Sequence, residues 1–468
     1  MRRLDGLSAF MIYSERPKSY QHTLKVAVLD YGEQAMPSYE ALVSDFSENI
    51  KRLPMLRWKL ARVPFGLNHP VWVQAEDFDI RYHLRHVTCP APGDDRAFSQ
   101  LVSQLYAYPM DQSAPLWLTW IVDGLADGKT AVVTLVHHAY TDGTGAARML
   151  ERLLLPARAK QYPVAELDAV KNPGKLRLFV NGLVDLPLLF ARELPGILRG
   201  ARTLSRYNKA RLASGQAMPP GPDDAPYSPF NTALTHRRTF AYKTFSLADI
   251  KAISKRMEVS INDLFVAVCA GAFREFLQDS DFDLDARPMV CTLPVNLRPP
   301  PEEDDLVGNQ VGTGYMWVPS HIADPRERLQ ATHEAAQTMK SYLAATSDVN
   351  ISRVMQLLPP LYAKTMGWIF DRTRGKVNLA GNLVLSNVAG PTKPLNIGKA
   401  TVSNWLSIGQ VSGGVGLNIT VWSYAGNFNV CLMADAQVVP DGWVLLDCIS
   451  NALDQYRETA QEQRPELV

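Results

Sequence analysis

The stretch VTLVHHAYTDGTGAARML, from Val133 to Leu150, carries the most specific signal in this sequence. An apolar, β-branched run ends at His137 and His138, and Asp142 and Gly143 follow. Apolar residues then recur at helical spacing. This order predicts a strand, a tight turn and a helix, with two titratable rings where the strand ends. Because neighbours on a strand point to opposite faces, at most one of the two histidines can face a given cavity.

Several roles compete for the double histidine. A histidine can take up and return a proton near neutral pH, as general acid–base catalysis requires. A metal site would need more ligands at metal spacing, and HHAYTD differs from HExxH. A nucleophile triad would need a Ser or Cys elbow such as GxSxG, which we do not find. The motif by itself leaves open an acid–base histidine and a buried histidine pair.

The composition is that of a globular protein without a strong charge bias. The chain has 468 residues, of which 46% are hydrophobic and 20% charged, and its formal net charge is +1. This length predicts two domains, and the charge argues against a nucleic-acid partner. The five cysteines form no CxxC pair and the N-terminus is too polar for a secretory signal. We therefore expect a cytoplasmic protein.

The chain divides into three parts by pattern. Residues 1–155 and 236–468 alternate predicted strands and helices, and each is predicted to form a domain. Residues 156–235 are rich in proline and are predicted to be a connector. Strands are predicted at His22–Leu29, Leu116–Val122, Thr130–Val136, Met289–Leu297, Val311–Val318, Asn382–Ser386 and Val402–Ile408, with a hairpin at Gly416–Tyr424 and Phe428–Met433. Helices are predicted at Ser38–Leu53, Asp95–Tyr106 and Asp441–Ala460, and after Ser246 and Ser260.

One segment of the connector is unusual in charge and hydropathy. Residues 176–198 are strongly apolar, and residues 199–211 carry five basic residues and no acid. Pro187 and Pro195 predict breaks, and interrupting polar residues argue against a membrane span. We predict an apolar helix followed by a basic one. Two interpretations stay open: helices lying on an anionic membrane surface, or a buried helix followed by a solvated one.

HHAYTDG fits the HHxxxDG pattern of acyltransferases built like chloramphenicol acetyltransferase and of peptide-synthetase condensation domains. Further motifs resemble the bacterial wax ester synthase/diacylglycerol acyltransferase family, and the resemblance covers nearly the whole chain. These motifs are Asp5 with FMIYSE, YQHTLKVAVL, PLW at Pro115–Trp117, ND at Asn262–Asp263, PVNLR at Pro294–Arg298, Gly308–Asn309 and SNVAGP at Ser386–Pro391. The last departs from the usual SNVPGP at Ala389.

The resemblance implies an α/β fold of two chloramphenicol-acetyltransferase-like domains, each a mixed β-sheet covered by helices, with the active-site channel between them. It implies that His138 is the general base, which removes the acceptor proton and returns it to the CoA sulfur without a covalent enzyme intermediate. Acyl-CoA is then a substrate, and no cofactor or metal is implied. It also implies that Asp142 organises the turn by pairing with an arginine, for which Arg298 is the best partner, and that His137 is supporting.

Other motif residues have a functional and a structural interpretation. We expect Gly143 to adopt backbone angles closed to other residues, so that the turn aims the histidine. Asn262 either contacts substrate or belongs to ordinary helix-start chemistry. Pro115, Leu116 and Trp117 lead toward the site, where Trp117 either forms an apolar wall for the acyl chain or is plain core. Ser386 and Asn387 either line the channel or serve the turn.

The predicted function is transfer of a long-chain acyl group from acyl-CoA to a lipid hydroxyl. Diacylglycerol is the default acceptor, and a fatty alcohol would yield a wax ester. We expect peripheral contact with a membrane or lipid-droplet surface at the cytoplasmic face. Two alternatives stay open: a condensation-type enzyme acting on an amine or specialised alcohol, and a non-catalytic lipid-binding protein of the same fold. The sequence indicates no oligomeric state.

Overall fold

The computed structural model of the chain describes residues 2–154, 173–297, 306–346, 351–373 and 380–462. Two six-stranded mixed sheets, each covered by helices, form its framework, as the sequence predicted. A small third sheet lies near the N-terminus and has the strand order β1-β4-β3. Its strands are β1 (Arg2–Arg3), β3 (Trp58–Ala61) and β4 (Val71–Gln74).

The first large sheet has the strand order β12-β13-β2-β7-β6-β5. Only the β5–β6 pair is parallel. Two of its strands come from late in the sequence, so residues 1–155 do not build this sheet alone. The strands are β2 (His22–Asp30), β5 (Leu84–Thr88), β6 (Trp117–Asp123), β7 (Thr130–His137), β12 (Asn396–Ile397) and β13 (Ala400–Ile408).

The second large sheet has the strand order β10-β9-β11-β14-β15-β8. Its strand β11 runs parallel to both neighbours, and the other pairs are antiparallel. The predicted hairpin is present as β14 and β15. The strands are β8 (Arg238–Ser246), β9 (Met289–Asn296), β10 (Val311–Val318), β11 (Leu383–Ala389), β14 (Leu417–Tyr424) and β15 (Asn427–Asp435).

The helices pack on the sheets and on one another. In the N-terminal half they are α1 (Gly6–Ser14), α2 (Tyr39–Ile50), α3 (Ile80–His83), α4 (Asp95–Tyr106), α5 (Gly143–Leu154) and α6 (Lys175–Ala213). In the C-terminal half they are α7 (Leu247–Arg256), α8 (Ile261–Leu277), α9 (Pro325–Ala345), α10 (Ile351–Leu357), α11 (Pro360–Thr373) and α12 (Gly442–Glu462). Short 3₁₀ turns occur at Pro54–Arg57, Pro64–Gly66, Ala126–Gly128 and Pro222–Asp224.

The two sheets share a core. One apolar cluster holds Leu24 and Val26 of β2 together with Phe240 of β8 and Met433 of β15. A buried ion pair of Arg238 and Asp435, 3.0 Å apart, lies in the same region. The first sheet buries its other face against α2 and α5, and the second packs against α8 and α12. The halves are therefore joined by packing as well as by the chain.

The predicted break in the connector is wrong. Helix α6 runs without interruption through Pro187 and Pro195. A proline removes one backbone hydrogen bond and crowds the preceding turn, a local cost that packing along a long helix can offset. In α6 that packing is close, since a Cβ on Gly182 would lie 3.0 Å from Val63. Of the helices in the described ranges, α6 included, none is long and apolar enough to cross a bilayer.

Candidate active site

The double histidine lies where strand β7 ends and its two rings face different surroundings. The His138 ring lines a cavity, and the His137 ring is fully buried. The Ala139 N–H donates to His137 Nδ1 at 2.9 Å, so His137 carries its proton on Nε2. This arrangement fits the expectation that only one of the two rings faces the site.

Behind the site, His137 belongs to a buried polar cluster with Glu15 and His22. Its Nε2 lies 3.5 Å from a Glu15 carboxylate oxygen, and His22 Nε2 lies 3.3 Å from the other oxygen. Burial alone would raise the pKa of Glu15, but the two nearby imidazoles hold that pKa well below its usual range. The carboxylate therefore stays charged next to His137, at the end of strand β7. Sequence reasoning missed this residue.

The cavity has a volume of about 730 Å³ and is lined by both halves of the molecule. Thr23, His138 and Asp142 come from the first half, and Ser386 and Asn387 of β11 come from the second. The last two residues therefore lie where a channel-lining role requires. This volume is within the range of small-molecule sites.

Burial sets the protonation of His138. It lowers the pKa of the imidazole to about 4, and the nearby Asp142 carboxylate raises the pKa only in part. The charge of Lys25 and the neighbouring His137 lower it further. The ring is therefore neutral at pH 7 and can accept a proton.

The Asp142 carboxylate accepts two backbone hydrogen bonds. Its Oδ1 accepts the Gly145 N–H at 2.9 Å in the first turn of α5, and its Oδ2 accepts the Gln310 N–H at 3.0 Å. The second bond joins the two halves of the chain. Arg298, its predicted partner, lies outside the described residues, so that pair stays a prediction.

Gly143 differs from the expectation. It begins α5, and its φ lies outside the left-handed region that glycine alone adopts readily. A Cβ at this position would lie 3.7 Å from the Lys25 ammonium, so the nearest neighbour is a side chain and not backbone. The glycine therefore leaves space beside Lys25, and the turn does not depend on unusual angles there.

The Gly308–Asn309 motif forms hydrogen bonds to the histidine turn and so links the two halves of the chain. The Gly308 N–H donates to the Tyr140 carbonyl at 2.7 Å, and the Asn309 amide donates to the His138 carbonyl at 2.6 Å. Gly308 has φ +92°, and a Cβ there would lie 2.9 Å from Asp5 Oδ2. The motif was visible in the sequence, but its spatial partner was not.

Pro115, Leu116 and Trp117 are not among the residues that line the cavity in the described chain. Trp117 is buried, donates its indole N–H to the Leu56 carbonyl at 2.8 Å and stacks on His83 at 4.6 Å. The Leu116 carbonyl accepts the His137 N–H at 3.0 Å. This environment favours the core interpretation, in which the motif supports the histidine strand.

The ND motif acts as a helix start. Asp263 forms a reciprocal capping box with Ser260 and accepts from His333 at 2.9 Å. Asn262 is half-buried and is not among the described residues that line the cavity. Its contact with substrate stays a prediction. Within the described ranges, no three His, Cys, Asp or Glu side chains lie together as a metal site would require.

Two family models match the chain. The wax ester synthase/diacylglycerol acyltransferase catalytic domain matches residues 4–265, and the WS/DGAT C-terminal domain matches residues 307–457. A Mycobacterium tuberculosis H37Rv protein named as a diacylglycerol O-acyltransferase is 39% identical over 451 residues, which cover 95% of each chain. Another protein of that strain with the same name is 32% identical over 475 residues, 99% of this chain and 91% of its own.

Solved structures support the fold. The wax ester synthase/diacylglycerol acyltransferase from Marinobacter aquaeolei VT8 matches with a TM-score of 0.70 and 23% identity, covering 98% of this chain and all of that one. The first condensation domain of the CDA synthetase matches with a TM-score of 0.61 and 15% identity, covering 98% and 96%. The catalytic-domain model spans more than half of the chain, and the relatives match along nearly all of it. The chain therefore belongs to the wax ester synthase/diacylglycerol acyltransferase family.

Proposed function

We propose that this protein transfers a long-chain acyl group from acyl-CoA to a lipid hydroxyl, with His138 as general base. The observation that carries the proposal is a half-buried, neutral imidazole lining a cavity formed by both halves of the chain. The cavity lets an acyl thioester and an acceptor meet at one ring. Family membership supports the same reaction class.

The reaction needs one proton carrier and no covalent enzyme intermediate. His138 accepts the proton of the acceptor hydroxyl as its oxygen attacks the thioester carbonyl carbon, and the carbonyl electron pair moves onto the oxygen. The tetrahedral intermediate then collapses, the C–S bond breaks, and the imidazolium returns the proton to the sulfur. The Asp142 carboxylate raises the proton affinity of His138 and so stabilises the imidazolium while it exists.

We take diacylglycerol as the main acceptor because the relatives at 39% and 32% identity are named as diacylglycerol O-acyltransferases. A fatty alcohol is the second acceptor to be compared, since the family model includes wax ester synthases. Both acceptors present a hydroxyl on an apolar molecule. The two products are triacylglycerol and a wax ester.

The test offers palmitoyl-CoA with a diacylglycerol, a fatty alcohol or a primary amine, and follows thiol release and lipid product. We expect His138→Ala to lower kcat roughly 10²- to 10⁴-fold, the usual contribution of a positioned base. His86→Ala serves as control because it removes a partly exposed imidazole outside the cavity lining. Undiminished turnover by His138→Ala, or no transfer to any hydroxyl acceptor by the wild type, would contradict the proposal.

We also propose that helix α6 docks on a lipid surface. Its acidic residues face the protein: Asp185 pairs with Arg3 at 2.6 Å, and Glu193 lies 4.0 Å from Arg353. Large apolar side chains on the same helix are exposed. They are Leu176, Val180, Leu183, Val184, Leu188, Phe190, Leu194 and Leu198.

The basic half of α6 extends this surface. Arg199, Arg202, Arg206 and Lys209 are exposed, whereas Arg211 is buried and donates to the Ala217 carbonyl at 2.7 Å. An exposed apolar face beside basic side chains is the pattern of helices that lie in the interface of anionic membranes.

Sedimentation with anionic phospholipid vesicles tests this surface. We expect the variant Leu176→Ser/Val184→Ser/Leu188→Ser to bind at least about tenfold more weakly than the wild type, because each buried apolar side chain contributes to partitioning. The control is Tyr227→Ser/Val444→Ser, which removes exposed apolar side chains elsewhere. Equal binding by the triple variant would contradict the assignment of this face.

A further inference from the structure

A lysine lies inside the apolar strand that runs beside the histidine strand. Lys25 of β2 is 1% exposed, and Leu24, Val26 and Ala27 around it are core residues. Lysine is almost never fully buried unless it is paired. The sequence LKVAVL places this lysine in an apolar run. Its role depends on the residues that surround it in space.

Lys25 belongs to a polar row that crosses four strands of the first sheet. In register, Thr119 of β6 lies opposite Thr134 of β7, Thr134 lies opposite Lys25, and Lys25 lies opposite Ser407 of β13. The two threonine hydroxyls are 3.0 Å apart, and the Lys25 ammonium donates to the Ser407 hydroxyl. The row ends at the cavity, which Lys25 and Ser407 both line.

The ammonium lies beside the HHAYTDG turn. It is 3.7 Å from the position that a Cβ on Gly143 would take, and the Trp422 ring lies 5.5 Å from it. Ser407 accepts only one of the three N–H bonds of the ammonium. A positive charge therefore lies in the wall of the cavity where His138 acts.

We propose that Lys25 serves the proposed acyl transfer as a fixed positive charge, stabilising the negative charge that forms on the thioester carbonyl oxygen and then on the departing sulfur. When the acceptor oxygen bonds to the carbonyl carbon, the carbonyl electron pair moves onto its oxygen as an anion. When the C–S bond breaks, that pair re-forms the carbonyl and the sulfur leaves with the bonding pair, which the His138 proton then neutralises. A charge fixed in a low-dielectric wall acts strongly on both anions and needs no reorganisation.

The charged groups around Lys25 come from several elements. Asp142 and His138 face it from the histidine turn, and Cys431 approaches from β15. Burial raises the pKa of Cys431 to about 12, so this thiol stays neutral near pH 7. Arg148 and Glu151 of α5 line the same cavity. The Asp142 carboxylate of the histidine turn is the group whose negative charge stabilises the Lys25 ammonium.

This role has a pH signature. Burial lowers the pKa of Lys25 to about 8, against the opposing attraction of Asp142, so Lys25 loses its charge as the pH rises through about 8. His138, whose pKa burial lowers to about 4, loses its base function only at acid pH. Activity should therefore rise above about pH 4 and fall again above about pH 8, with Lys25 responsible for the alkaline fall.

The test compares Lys25→Met, Lys25→Gln and Lys25→Arg with the wild type in palmitoyl-CoA turnover from pH 4 to pH 10, corrected for spontaneous thioester hydrolysis. We expect the two uncharged variants to lose roughly 10²-fold in kcat, the usual effect of losing one stabiliser of the anion. Their KM for palmitoyl-CoA should stay within about threefold and their alkaline fall should disappear. Lys25→Arg should recover part of the rate and also lack the alkaline fall, because arginine stays charged.

Thr134→Val is the matched control, since it removes a neighbouring hydroxyl of the same row without removing charge, and it should keep the wild-type pH profile. Lys25→Gln retains a hydrogen-bond donor for Ser407. It therefore still tests the loss of charge if Lys25→Met does not fold. An uncharged variant with kcat within about threefold of the wild type, or an unchanged alkaline fall in Lys25→Arg, overturns this inference alone. No turnover by the wild type overturns the proposed function and this inference with it.

Discussion

At the scale of single residues, the proposed base His138 is held by hydrogen bonds of its backbone. The His138 N–H donates to the Gln21 carbonyl at 2.7 Å, and the Asn309 amide donates to the His138 carbonyl. Asn309 also donates to the Ser8 hydroxyl at 3.0 Å. Residues distant in sequence therefore meet at one peptide, and small shifts there move the imidazole relative to its substrate.

For Asn309→Ala we expect kcat to fall about tenfold or more with a smaller change in KM, because the side-chain amide bonds to the carbonyl of His138, the proposed base. The loss of a buried hydrogen bond should also lower the free energy of unfolding by roughly 1–3 kcal/mol. Steady-state kinetics and urea denaturation measure the two effects. Ser8→Ala removes the other partner of Asn309 and is the control, and an equal loss of kcat in both variants would contradict a specific role at His138.

At the scale of secondary-structure elements, the two residues of the ND motif, Asn262 and Asp263, have different roles at the start of α8. Asp263 is buried, caps the helix with Ser260 and joins it to His333 of α9. Asn262 has no part in that capping box. The ND motif of the sequence therefore contains one residue with a clear structural role.

We expect Asp263→Ala to lower the free energy of unfolding by roughly 1–3 kcal/mol, because a helix cap and a buried hydrogen bond are lost together. Asn262→Ala should leave stability nearly unchanged, because Asn262 has no part in the capping box. Urea denaturation and thiol-release kinetics on both variants measure this difference. A large loss of kcat in a stable Asn262→Ala protein would instead support the substrate-contact interpretation.

At the scale of the whole molecule, several neutral histidines are buried in the fold. Burial lowers the pKa of both His83 and His138 to about 4, and lowers the pKa of His22 and His69 as well. In the unfolded chain such groups titrate near pH 6.5. Between these values the unfolded state binds more protons, so acid favours unfolding.

We therefore expect the free energy of unfolding to fall as the pH drops from about 7 to about 4, and to change little through these histidines above pH 7.5. Urea denaturation at a series of pH values measures the slope. In His83→Gln, which removes one buried imidazole, the slope between pH 6.5 and pH 4 should be smaller. A slope of opposite sign, or one unaffected by this substitution, would contradict the account.

The local patterns of the sequence determined most of the secondary-structure elements. Alternating and helical hydrophobicity predicted strands β2 and β7 and the hairpin β14–β15 to within a few residues, because these signals arise from burial of one face. The HHAYTDG motif predicted a strand end, a turn and a helix start, and the family resemblance, not the spacing, singled out His138 as the proposed base. These features depend on neighbours close in the chain.

Only the tertiary structure decided which distant residues meet. It brings β13 into the first sheet, sets Gly308 and Asn309 against the histidine turn, and places Lys25 at the cavity. It also keeps α6 helical through two prolines that predicted a break. Strand register and cross-domain hydrogen bonds depend on contacts between segments that are far apart in the sequence. The packing that offsets the local cost of a proline in a helix depends on such contacts too. No short window of sequence contains both partners of a contact of this kind.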